Sequence, residues 1–161
     1  MKIGRVTLSD RASNGIYEDL SGPEIERVLR EQFASPVEIV SVLLPDEKTE
    51  IEQALKNLCS ADCVLVVTTG GTGPSPRDVT PEATRAVIEK EFPGFGEVMR
   101  AVSFAKVPTS ILSRATAGVR GRTLILNLPG NPKAINECLP PLLPAIVEAI
   151  EHIAGFRPEL A

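Results

Sequence analysis

Apolar residues fall along this chain in short runs separated by polar turns. Ile3 to Leu8 predicts a first strand, ending at Ser9-Asp10. Ser21-Gly22-Pro23-Glu24 opens a helix, with proline in its first turn and an acid beside it. Ile25, Val28, Leu29 and Phe33 give that helix an apolar face, and Pro36 stops it. Val37 to Leu44 is a second strand, ending at Pro45-Asp46-Glu47. Thr49 starts a helix with Ile51, Ala54, Leu55 and Leu58 on one side. Cys63 to Thr69 is apolar on both faces, as a central parallel strand requires. Thr80 is the expected cap of the next helix, with Pro81 at its first position and Ala83, Val87 and Ile88 facing inward.

Beyond this point the pattern is more mixed. Phe92 to Glu97 is turn-rich, and a short helix through Met99 and Val102 follows. Ile111 to Val119 and Thr123 to Leu128 predict two strands joined at Arg120-Gly121 as a hairpin. A helix begins at Ala134 and is expected to break at Pro140-Pro141; Pro144 then starts a last helix carrying Ile146, Val147, Ile150 and Ile153. No internal repeat, low-complexity tract or linker divides residues 1–161. Strands alternating with helices imply one α/β domain: three layers, α/β/α, with a mostly parallel central sheet plus an antiparallel pair.

Composition narrows the function classes. A chain of 161 residues can bury a real core. Its net charge of −4 argues against a general nucleic-acid or anionic-membrane surface, since neutralising phosphates needs a basic face. Trp is absent and aromatics are scarce, which argues against a stacking platform for single-stranded nucleic acid. No apolar run is long enough for a membrane span, and the first residues lack a signal-peptide pattern, so the expected address is the cytoplasm. Cys59, Cys63 and Cys138, an odd count, read as reduced thiols filling core space. The one histidine, His152, is far in sequence from every polar loop and reads as a surface residue.

The candidate chemistry gathers at strand ends. In open α/β sheets, ligands bind outside the carboxyl ends of the strands. Those ends carry Ser9-Asp10, Pro45-Asp46, Gly70-Gly71-Thr72-Gly73 and Asn127 to Asn131, four loops expected along one edge. Three glycines in four residues permit positive φ and close backbone approach, and bare amides at such a turn can cradle an anion. The loop is neither a Walker A sequence nor GxGxxG, and a tight turn without ligand is the alternative reading. Asp78 and Asp46 could likewise be a helix-capping acid and a turn residue. Two acids beside a phosphate cradle suit Mg²⁺ held by one or two carboxylates and phosphate oxygens, and hence phosphoryl or nucleotidyl transfer.

TTGGTGPSPRDVTPEAT resembles the signature of the molybdopterin-binding (MogA/MoaB-type) family. PGFGEVMR at 93–100, ILSRATAGVRG at 111–121, LILNLPGNPKAINECL at 124–139, SDRASNGIYED at 9–19 and LLPDE at 43–47 extend the resemblance over essentially the whole chain. The MogA-type subgroup fits best. The resemblance implies a homotrimer in molybdenum cofactor biosynthesis. It also implies ATP- and Mg²⁺-dependent joining of AMP to the terminal phosphate of molybdopterin, with pyrophosphate released and the product passed to a molybdate-inserting (MoeA-type) partner. The alternatives are a MoaB-type paralogue and a non-catalytic molybdopterin carrier. By residue, it implies that Asp46 and Asp78 are the functional acids, handling metal and nucleotide. Gly70, Gly71, Thr72 and Gly73 would hold phosphate; Ser9, Asp10 and Ser13 would form the first-strand loop. Ser103, Ser113 and Arg114 would line the pterin and phosphate side, and Asn127, Pro129, Gly130, Asn131 and Lys133 the nucleotide side.

Overall fold

The computed structural model describes residues 1–161. The order of elements is β1 (Lys2–Leu8), α1 (Asp10–Ser13), α2 (Ser21–Gln32), β2 (Glu38–Leu44), α3 (Lys48–Ser60), β3 (Leu65–Thr69) and α4 (Thr80–Val87). Then come β4 (Lys90–Glu91), α5 (Pro93–Phe104), a 3-10 turn at Pro108–Leu112, β5 (Ala117–Arg120), β6 (Thr123–Leu128) and α6 (Pro132–Ala154). The six strands form one sheet in the order β2-β1-β3-β6-β5-β4. β2, β1, β3 and β6 are parallel; β5 runs antiparallel to β6, and β4 antiparallel to β5.

Period-two alternation on the central strands sorts the core into two layers. Leu65 and Val67 of β3 and Leu124, Leu126 and Leu128 of β6 pack under α2, α5 and α6. Val66, Ile125, Val6 and Leu8 point the other way, under Ile51, Leu55 and Leu58 of α3 and Ala83 and Val87 of α4. The three-layer α/β/α expectation matches this arrangement, and the expected antiparallel pair is β5 with β6. β4 adds a short third member that two charged residues, Lys90 and Glu91, did not signal.

Four local expectations need correction. The expected break at Pro140-Pro141 is absent: α6 runs unbroken from Pro132 to Ala154 with Pro140, Pro141 and Pro144 inside it. Each internal proline costs about 3 kcal/mol or more. Against that, Ile135, Cys138, Leu139, Leu142, Leu143, Ile146, Val147 and Ile150 are all buried along one stripe, and a fully buried apolar side chain contributes about 1.5–3 kcal/mol. Packing therefore holds the helix together. The strand expected from Ile111 begins only at Ala117, because Ile111 and Leu112 lie exposed in the 3-10 turn and the backbone N–H of Arg114 donates to Thr72 O (2.9 Å). That bond draws the segment past the glycine loop before it joins the sheet. Thr80 does not cap α4: Val79 does, and the Thr80 hydroxyl donates to the Gly70 carbonyl (2.9 Å). The turn-rich stretch from Phe92 is already helical at Pro93, with proline in the first turn.

Candidate functional site

The carboxyl ends of β1, β2, β3 and β6 bring the four polar loops to one edge of the sheet. Gly70 (φ 93°) and Gly71 (φ 68°) both occupy the left-handed region, which L side chains rarely adopt. Space is the second constraint: a Cβ on Gly70 would lie 2.2 Å from the Leu8 carbonyl oxygen, and one on Gly71 would lie 2.2 Å from Thr80 Oγ1 and 3.1 Å from Asp46 Oδ1. The loop is thus pressed between the end of β1 and the start of α4, with an acid alongside.

That acid is Asp46. Its Oδ2 accepts from the Asp10 amide (3.0 Å), and its own amide donates to Asp10 Oδ1 (3.0 Å), so the loops after β1 and β2 are locked reciprocally. Its Oδ1 is buried and has no hydrogen-bond partner. Burial pushes the Asp46 carboxyl up, and the neighbouring charges of Asp10 and Asp78 act the same way, opposed by the Asp10 amide and Arg77. An orphaned buried carboxylate oxygen beside a bare backbone loop fits a cation or a ligand donor. Asp78 lies beside the last glycine of the loop, where a Cβ on Gly73 would come within 2.8 Å of its Oδ2. The same Oδ2 accepts from the Ser75 amide (3.0 Å). No group of three or more His, Cys, Asp or Glu side chains is arranged to hold a metal; Asp46 and Asp78 are the carboxylates beside the glycines, and one or two carboxylates are what Mg²⁺ takes when phosphates complete its sphere.

The remaining expected residues divide into those that face open space and those that do not. A cavity of about 190 Å³ is lined by Ser9, Asp19, Ser21, Thr69, Gly70 and Gly130, among others. A second, of about 410 Å³, is lined by Thr72, Gly73, Ser103, Ser113, Pro129 and Asn131, among others. The glycine loop and the 129–131 loop contribute to both, so the two cavities flank them. Ser9 and Ser13 spend their hydroxyls locally, on the Ala12 amide and the Asp10 carbonyl. Asn131 caps α6 by accepting from the Lys133 amide (2.9 Å), and Lys133 is exposed with no ion-pair partner.

Asn127 lies apart from this open space. It is fully buried; its Nδ2 donates to Thr68 Oγ1 (3.1 Å) and Thr84 Oγ1 (2.9 Å), and its Oδ1 accepts from the Thr116 amide. It ties β6 to β3, α4 and the chain before β5 rather than lining the nucleotide-side loop. Arg114 reaches the site wall, but its guanidinium nitrogens contact the carbonyls of Gly73 and Asp78 and the carboxylate of Glu82. Arg77 is similarly engaged, donating to Asp10 (3.0 and 2.9 Å) and Glu47 (2.9 Å). Hydrogen bonding to Arg77 holds the Asp10 carboxyl below its usual range.

Sequence reasoning missed Asp19 and Glu82. Asp19 accepts from Thr7 Oγ1 (2.8 Å), Arg5 Nη1 (3.1 Å) and the Gly22 amide (2.9 Å), pinning the loop before α2 to the floor of the smaller cavity. An acid two residues before Ser21-Gly22-Pro23 was the available signal, since Asp side chains commonly cap helix amides. Glu82 had none beyond its place in the first turn of a helix. The largest concavity, about 650 Å³, lies elsewhere, between α5 and α6, and is mainly apolar. It has no glycine loop, and its two acids, Glu91 and Glu148, are paired with Arg85 and Arg157, so the strand-end loops are the better candidate.

Comparison with known proteins bears on the family and the fold. The family described as "Probable molybdopterin binding domain" matches residues 4–148. The chain is 53% identical over 154 residues to a molybdopterin adenylyltransferase of Helicobacter pylori, covering 95% of this chain and 88% of that one. It is 52% identical over 140 residues to the molybdopterin adenylyltransferase of Escherichia coli K12, covering 86% and 72%. Among solved structures, the molybdopterin biosynthesis enzyme MoaB of Thermus thermophilus superposes with a TM-score of 0.88 at 42% identity, over 97% of this chain and 98% of that one. A MogA structure superposes at 0.89 and 37% identity, over 95% and 99%.

Proposed function

The chain belongs to the family of molybdopterin-binding domains, and from that premise we propose that it is a molybdopterin adenylyltransferase of molybdenum cofactor biosynthesis. It uses ATP to adenylylate the terminal phosphate of molybdopterin and releases pyrophosphate. One observation carries the reading beyond the relatives' names: the buried, unpartnered Oδ1 of Asp46 lies against Gly71 and the Asp78 carboxylate against Gly73, in a bare glycine loop whose Gly70 lines one cavity and whose Thr72 and Gly73 line another.

The chemistry asks little of a protein base. A phosphate monoester is already largely ionised near neutral pH. One of its oxygens attacks the α-phosphorus of ATP, the new P–O bond forms, and the bond to the β-phosphate breaks with its electron pair leaving on pyrophosphate. Such a reaction is accelerated by positioning and by neutralising charge. The amides of Gly71 to Gly73 cradle phosphate oxygens, and the two cavities hold the two substrates on either side. Asp46 and Asp78 are the residues that would hold Mg²⁺, which would supply positive charge against the triphosphate. Lys133, exposed and unpaired in the first turn of α6, is the cation available to the phosphates. Arg77 is not free for that role while it is held by Asp10 and Glu47. A homotrimer, a cytoplasmic setting and a molybdate-inserting partner of the MoeA type complete the proposal.

The test is direct turnover. Purified protein is mixed with molybdopterin, ATP and Mg²⁺, and pyrophosphate and adenylylated pterin are followed, with Asp78→Asn in parallel. Product from the wild type alone supports the enzyme. Tight pterin binding without product from either replaces it with the carrier reading.

A further inference from the structure

All three guanidinium nitrogens of Arg114 are committed to the protein. Nε donates to the Gly73 carbonyl (2.9 Å) and Nη2 to the Asp78 carbonyl (2.9 Å). Nη1 donates to both carboxylate oxygens of Glu82 (2.8 and 2.7 Å). The Arg114 amide adds a bond to the Thr72 carbonyl (2.9 Å). One side chain therefore grips both ends of the Gly73–Asp78 segment. Within that segment the Ser75 amide donates to Asp78 Oδ2 (3.0 Å) and the Asp78 amide to the Ser75 carbonyl (2.9 Å), so what fixes the segment's ends also fixes the acid's direction.

The grip is itself supported from both sides. Glu82 sits in the first turn of α4, where a carboxylate is favoured by the helix dipole, and its charge offsets that of Arg114. Behind Arg114, Arg100 Nη1 donates to the carbonyls of Ser113 (3.3 Å) and Ala115 (3.0 Å), the residues on either side of it. A planar guanidinium can hold three acceptors at fixed angles, whereas an ammonium cannot reproduce that fork. A cation meant for a substrate phosphate would be poorly served by this arrangement. Turning Arg114 toward a ligand would strand the Glu82 carboxylate and two loop carbonyls.

We propose that Glu82 and Arg114 are a positioning pair that aims the Asp78 carboxylate and the Thr72–Gly73 backbone at the reacting phosphates without touching substrate. The kinetic part of this proposal rests on the adenylyltransferase reading.

The experiment compares wild type with Arg114→Met, Arg114→Lys and Glu82→Gln. It measures AMP transfer, Mn²⁺ binding in the presence of ATP by electron paramagnetic resonance, and thermal unfolding. An ångström of misplacement can cost about 10²-fold in rate, so Arg114→Met is expected to lower kcat about that much. Arg114→Lys is expected to restore less than about tenfold of that loss, and Glu82→Gln to lose about tenfold. The KM for ATP should stay within about threefold, while Mn²⁺ binding weakens about tenfold, as expected when geometry rather than ground-state contact is lost. Variants with kcat and Mn²⁺ affinity both near wild type overturn the proposal. A rise in KM at unchanged kcat also overturns it, because that marks direct ligand contact by Arg114. If Arg114→Met fails to fold, Glu82→Gln, which keeps the shape of the pair, decides. If wild type itself transfers no AMP, the adenylyltransferase reading falls, and the Mn²⁺ measurement still judges the pair.

Discussion

Replacing Gly71 by alanine tests the central claim about the glycine loop. At φ 68° an L residue is strained, at a cost of about 1–2 kcal/mol. The added Cβ would also lie 2.2 Å from Thr80 Oγ1, which donates to the Gly70 carbonyl. Displacing that hydroxyl forfeits the bond, about 1 kcal/mol, and pushes toward Asp46. The sum is about 2–3 kcal/mol before relaxation. For a chain of this size each kcal/mol is about 2–4 °C in Tm, so the expected fall is about 4–12 °C. Gly121→Ala is the matched control. Gly121 also has positive φ (55°), but nothing lies within 4 Å of its would-be Cβ. The unfolded-state effect of Gly→Ala is common to both and cancels, leaving packing as the difference. Differential scanning fluorimetry gives the two Tm values, and titration with ATP and Mg²⁺ gives the affinities. If Gly71→Ala melts within about 2 °C of Gly121→Ala and binds ATP normally, the packed-cradle argument is wrong.

Other predictions concern the acids and the buried polar residues. Asp46→Asn and Asp78→Asn should each abolish adenylylation while leaving circular dichroism and Tm close to wild type, since both acids lie in loops; near-normal turnover in either removes that residue from the machinery. Asn127→Leu should destabilise by about 2–4 kcal/mol, because it strands the hydroxyls of Thr68 and Thr84 and the Thr116 amide inside the sheet; urea unfolding measures this, and a loss under about 1 kcal/mol would contradict the network. Hydrogen bonding to Arg114 holds the Glu82 carboxyl below its usual value of 4.5. Its contribution is therefore complete above that pH and disappears as pH falls through the lowered folded value. The pair is more than a third exposed, so the difference between wild type and Glu82→Gln should be under about 1 kcal/mol. It should vanish in acid, and a difference that grows on acidification would reverse the sign assigned here. Sedimentation at micromolar concentration checks the homotrimer, and a monomer removes it.

Much of the architecture was legible because its causes are local. Strand runs with period two or full burial, helix starts at Ser21-Gly22-Pro23 and Thr80-Pro81, and polar strand ends placed Asp46, Asp78 and the glycines along one edge of an α/β sheet. Where local chemistry and tertiary packing disagreed, packing prevailed. Three prolines argued for a broken C-terminal helix, yet one continuous buried stripe holds α6 whole. Ile111 and Leu112 had strand-like residues, but the Arg114–Thr72 bond carries that segment out to the loop first.

By itself the sequence determined the layers, the four loops at the carboxyl ends, and the residue types available for phosphate and metal. Only the tertiary structure decided which of those residues are free. Arg77 meets Asp10 across 67 positions, Arg114 meets Glu82 across 32, and Asp46 meets Asp10 across 36. Charge identity is written in the chain, but whether a charge is neutralised depends on what the fold brings within about 3 Å of it. For that reason Arg114, expected on the phosphate side, is engaged by Gly73, Asp78 and Glu82, Arg77 is held by Asp10 and Glu47, Asn127 ties the sheet to α4, and Oδ1 of Asp46 is left without a hydrogen-bond partner.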